Sequence, residues 1–430
     1  MFIKHVLSCV FVSGESVVFD PADNLRHSAF FAELASLDES HASWRSVSAG
    51  LVTLRLVDAW IAEGAAAVAA DAWGMRSVDA AIEQMPRDTP ARAILFGVVA
   101  ALRESTGDDL HAVAPRLMAY ARVLDLDAKW ALAADVYLSV IAHVHPVDES
   151  DVAIAAHLRL AYCERSLGAL DHAAESYSTA SAIATDVDDM FGILRAEIGA
   201  AKIAMERGNL PHAESLLDDV IIRASAREDL SDVHAMALQD RAGVAFYRER
   251  YDVAVQFAYR SLELTKDPVN RDRLLGDIAL AFTRLGVRSA ARDAYLIVEA
   301  TAQEQYQRWA ASMNLMEIAA REGAMPVFER YRRSLMGVPF PPAMRAQYHL
   351  QTAEGYEALD ETVAAGNAGR CARDIAHEFG YHKIVFDAEA LIARAERGQR
   401  AAARRAEQAA PMELREIAER INEMRRLVPG

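Results

Sequence analysis

Residues 155–183 read AAHLRLAYCERSLGALDHAAESYSTASAI, and the spacing within this stretch decides the fold. Leu158, Leu160, Ala161 and Tyr162 fall at helical intervals, Gly168 interrupts, and Ala173, Tyr177 and Ala180 line one face of a second helix. One helical hairpin accounts for the whole stretch. A second copy follows in the same phase: Ala200, Ala201 and Ala204, the turn Gly208-Asn209-Leu210, then Ala213, Leu217 and Val220.

The turn residue serves as a marker for further copies. Gly168, Gly208, Glu249, Gly286 and Gly323 are separated by 40, 41, 37 and 37 residues. Five positions after each marker stand Ala173, Ala213, Ala254, Ala291 and Phe328. Four positions further on come Tyr177, Leu217, Ala258 and Tyr295, with Tyr331 one place early in the last copy. Small residues at the first position let two helices approach closely, and the aromatic or Leu fills the groove against the next hairpin.

This pattern resembles the tetratricopeptide repeat family, most closely over residues 151–335. The units here are longer than the usual repeat of about 34 residues, and in this they are similar to the extended repeats of MalT-type regulators and kinesin light chains. The closing Pro is mostly missing, and the Gly of the first helix is usually Ala. The resemblance implies an all-α, right-handed superhelical solenoid of antiparallel helix hairpins.

Around the repeats, residues 1–20 are expected to be a short β-hairpin or extended segment, from β-rich segments at 6–12 and 17–19 about the turn Ser13-Gly14-Glu15-Ser16. Divergent hairpins are expected over 21–148, core repeats over 149–337 and looser hairpins over 338–397. Residues 398–430 read as a linker and a capping helix. Leu414, Ile417, Ile421 and Met424 form the stripe of that helix.

Composition agrees with an array. At 430 residues with 52% apolar content, 21 Gly and 13 Pro, the chain is too long for one compact core and too poor in turn residues for a β-sandwich. The formal charge of -16 argues against direct nucleic-acid binding, since phosphates reward a basic face. Cys9, Cys163 and Cys371 lack metal or redox spacing and read as reduced thiols in a cytoplasmic protein. No apolar run approaches the roughly 18 residues of a membrane helix. Ahead of Cys9 the apolar segment of a secretory leader is missing.

Catalytic constellations are absent from the sequence: there is no GxxxxGK[ST], GxGxxG, GxSxG or HExxH. The nearest approach is His377 and His382, five residues apart and so about 140° apart on a helix, with Gly380 between them. Asp186, Asp188, Asp189, Asp218 and Asp219 sit where acidic residues cap helices. Neither an enzyme, a metal nor a cofactor is expected.

In the family resembled, first helices of the hairpins (A helices) form the concave wall. Carried onto this sequence, the groove positions are Tyr162, Arg165, Arg195, Lys202, Gln239, Tyr247, Arg273, Arg284, Asn314 and Arg321. They are mostly hydrogen-bond donors, suited to a partner protein or peptide with an acidic or C-terminal carboxylate segment. The expected role is therefore a protein- or peptide-binding scaffold, the alternative being a peptide- or ligand-sensing regulator of a partner. Self-association is compatible with either.

Overall fold

The computed structural model describes residues 26–63, 72–104, 111–398 and 407–428. The expected β-hairpin lies outside them, as do the first residues of the divergent hairpins and most of the expected linker. Twenty α-helices and no strand occur among the described residues. Two compact units divide the chain between Val220 and Ile221.

The N-terminal unit holds α1 (Ser28–Ser36), α2 (Ala42–Glu63), α3 (Ala72–Glu83), α4 (Pro90–Glu104), α5 (Ala114–Leu126), α6 (Trp130–Ile141), α7 (Ser150–Ser166), α8 (Leu170–Asp186) and α9 (Met190–Glu206). The dividing point falls within α10 (Leu210–Ser225). From α5 to α9 each helix packs on the next, and α7 also touches α5 and α9. This is the contact pattern of stacked hairpins. Trp60, Tyr120 and Tyr137 are the largest fully buried side chains of its core.

The C-terminal unit repeats the scheme with α11 (Ser231–Tyr247), α12 (Tyr251–Leu264), α13 (Pro268–Leu285), α14 (Arg288–Thr301), α15 (Gln305–Arg321), α16 (Met325–Leu335), α17 (Pro342–Ala358), α18 (Thr362–Glu378), α19 (His382–Glu396) and α20 (Arg415–Leu427). Consecutive helices pair from α11 to α16 and again from α17 to α19, and α15 also touches α13 and α17. Both units are thus tetratricopeptide-like runs of antiparallel hairpins.

The five marker residues all close their helices in the same way. Gly168, Gly208, Glu249, Gly286 and Gly323 have φ of 81°, 76°, 59°, 79° and 77°. This left-handed conformation turns the chain so that the next amide caps a helix carbonyl. Thus Ala169 N–H donates to Glu164 O at 2.9 Å, and Arg250 N–H to Ala245 O at 2.9 Å. Ala173, Ala213, Ala254, Ala291 and Phe328 are at most 3% exposed. Four residues later the aromatic does what its position requires. A Cβ added to Gly199 of α9 would lie 2.2 Å from the Tyr177 ring, so α9 presents bare backbone to that ring.

Helix α20 forms on the expected stripe, with Leu414 and Ile421 fully buried. The sequence places it as a cap after the last hairpin; it is seated instead on α14, and the turn before it (Met412–Leu414) touches α12. Polar contacts fix it there. Gln408 N–H donates to Gly286 O at 3.1 Å, Ser289 N–H to Glu407 Oε1 at 2.9 Å, and Asn422 Nδ2 to Asp293 Oδ2 at 2.7 Å.

Candidate functional site

Within the N-terminal unit, the A helices α5, α7 and α9 carry Arg122, Arg159 and Arg195. These are 37 and 36 residues apart, one repeat each. Asp125, buried at the end of α5, organises the first two. Arg122 Nη1 donates to Asp125 Oδ2 at 2.5 Å, and Arg159 Nη1 lies 3.7 Å from the same oxygen. Arg195 lies over the Phe191 ring at 5.7 Å. No carboxylate among the described residues pairs with it. Its guanidinium is held below its ordinary pKa by partial burial first and then by the charges of Arg159 and Arg122. Three cations thus share a neighbourhood in which one carboxylate serves two of them.

Tyr137, below this cluster on α6, is fully buried, and its hydroxyl has no partner among the described residues. Burial pushes both the Tyr137 phenol and the Cys163 thiol upward, and the charge of Asp125 adds to each. Neither is poised to ionise near neutral pH.

Four of the ten groove residues read from the sequence are carried by α7 and α9. Tyr162 and Arg165 are on α7, Arg195 and Lys202 on α9. The guanidinium of Arg165 sits 5.4 Å over the Tyr162 ring and pairs with Glu206. Its side chain is only 9% exposed, so it braces α7 against α9. Lys202 is half-buried and engaged with neighbouring groups. Beside Tyr177 opens a cleft of about 430 Å³, bordered by Ser178, Ser181, Glu197, Ala200 and His212.

The remaining six belong to the C-terminal unit and are differently disposed. Gln239 and Tyr247 are on α11, half-buried and exposed respectively. Arg273 is held by both oxygens of Glu304, at 2.9 and 3.1 Å. Arg284 is exposed near the end of α13. Asn314 donates to Ala310 O of its own helix at 2.8 Å, and Arg321 pairs with Glu317 at 2.7 Å. On these A helices the notable charge is of the other sign. The Glu354 carboxyl is raised by loss of surrounding water and then by the charge of Glu317, although its side chain keeps contact with solvent.

Sequence reasoning missed Arg122, Arg159 and Asp125. The available signal was the recurrence of Arg at the repeat interval, and it becomes meaningful only when the three helices are stacked. His377 lies in the last turn of α18 and His382 begins α19, with Gly380 at φ 72° between them. The chain breaks between the two helices at that glycine. Among the described residues no helix is long and apolar enough to cross a membrane, and no group of three or more His, Cys, Asp or Glu is arranged to hold a metal ion.

No protein-family model matches the chain, and no curated protein matches it. Solved structures similar to it include the apo form of the quorum sensor NprR from B. thuringiensis. The two are 15% identical over 80% of this chain and 92% of that one, with a TM-score of 0.48. A Rap protein complexed with Competence and Sporulation Factor is 13% identical over 78% of this chain and 99% of that one, at 0.46. BtubC (BKLC) from P. vanneervenii is 16% identical over 47% and 86%, at 0.39.

Proposed function

We propose that this chain is a protein- or peptide-binding scaffold that engages its partner through the A-helix face of the N-terminal unit. The observation behind this reading is the cluster on α5, α7 and α9. Arg122, Arg159 and Arg195 stand there beside Tyr162 and Phe191, and among the described residues Asp125 is the one carboxylate serving these three cations. Guanidinium forks and aromatic faces on rigid helices are the groups that hold polypeptide segments at low entropic cost. A cytoplasmic setting goes with the proposal: Cys163 and Cys371 are both unbridged.

Selection of a displayed random peptide library on the full chain tests it. Selected peptides should lose affinity by about tenfold or more when Arg195→Glu and Lys202→Glu are combined. They should be indifferent to Glu175→Lys on the exposed side of α8. Full affinity in the double variant would remove the A-helix face as the binding surface.

A further inference from the structure

The face just described has an electrostatic imbalance that specifies what it binds. Three guanidiniums and one carboxylate leave two positive charges, and both the Arg122 and the Arg159 contact fall on a single oxygen of Asp125. Carboxylates nearby are committed elsewhere: Glu206 pairs with Arg165, and Glu164 accepts from Ser176 Oγ at 2.8 Å. Among the described residues Arg195 has the Phe191 ring beside it and no carboxylate partner. Partly buried like charges raise the energy of the free protein, and an incoming anion removes that cost. In a chain of net charge -16, an acidic ligand is repelled over most of the surface and admitted at this place.

Resting on the scaffold reading, we propose that Arg122, Arg159 and Arg195 form a site for a run of adjacent carboxylates, so that the segment bound here is an acidic peptide. The site spans three stacked A helices, whose axes in such packing lie about 8–10 Å apart. A lone small anion fits one fork of that row. An extended peptide, with side chains on one side recurring about every 7 Å, matches all three. Asp125 already shows the stereochemistry, one carboxylate oxygen shared by two guanidiniums. The external ligand would add the charges that Asp125 does not supply, Arg195 first.

Fluorescence anisotropy with labelled hexaglutamate, hexalysine and a capped Gly-Ser hexapeptide on the full chain tests the site. Hexaglutamate should bind, weaken as salt is raised, and lose about tenfold in affinity with either Arg159→Gln or Arg195→Gln. Without ligand, Arg195→Gln should hold or raise the melting temperature, because it removes a like-charge neighbour. An unchanged hexaglutamate affinity in the Arg122→Gln, Arg159→Gln, Arg195→Gln triple variant would overturn the site. So would a lower melting temperature for ligand-free Arg195→Gln, since the cation would then be holding the fold. Library peptides that bind the A-helix face without an acidic run, unaffected by the triple substitution, would end this inference and leave the scaffold reading intact. A library that yields no binder would end both.

Discussion

Glu249 holds a backbone conformation that four of the five marked turns give to glycine. Its φ of 59° puts a Cβ where the left-handed region disfavours one. Exchange of Glu249→Gly is expected to raise stability by about 0.5–1 kcal/mol in urea unfolding. A lower midpoint would mean that the Glu249 side chain holds a compensating contact. The marker was legible in the sequence because its period, not its residue type, identified it. His27 was not legible at all. Its Nδ1 lies 2.7 Å from Asp135 and its Nε2 3.1 Å from Asp58, residues 108 and 31 positions away. Burial alone would lower its pKa, but hydrogen bonds to Asp135 and Asp58, with their charges, raise it to about 9. A raised folded-state pKa means that this stabilisation is complete below the free value near 6.5 and is lost as pH rises through about 9. His27→Gln should therefore cost about 2–4 kcal/mol at pH 7. Between pH 7 and 10, wild-type stability should fall toward that of the variant, and parallel pH profiles would refute the assignment.

At the scale of elements, the turn marker and the buried positions five and nine residues after it define each hairpin, with the second of these one residue early in the last copy. These relations are local, so the sequence carries them in full. Helix α20 shows where local reading stops. Its apolar stripe predicts that one face is covered, but a stripe states only that a face is buried and not by what. The cover is α14, recognised through contacts such as Asn422 to Asp293, 129 residues apart. Ile421→Asp places a charge in a fully buried position and is expected to destabilise the C-terminal unit by about 3 kcal/mol or more. Amide exchange in α14 should accelerate in that variant. Glu419→Ala, on the exposed side of the same helix, should change little. Equal protection of α14 in wild type and Ile421→Asp would show that α20 contributes nothing there.

For the whole molecule, net charge and repeat period narrowed the class of partner, and the fold sorted the candidate residues. Reading donors helix by helix treats all cations alike, whereas the folded chain does not: Arg273 and Arg321 answer Glu304 and Glu317, Arg165 braces Glu206, and Arg195 is left with an aromatic ring. Arg122 and Arg159 entered only when stacking placed them on either side of Asp125. The sequence by itself determined the hairpins, their period and their buried positions, because turn conformation and helical phase are set by residues within about one repeat of each other. Only the tertiary structure decided which charges are paired among the described residues and where the last helix docks. Pairing depends on distances of a few ångströms between side chains separated by 30 to more than 100 residues, and spacing along the chain does not contain those distances.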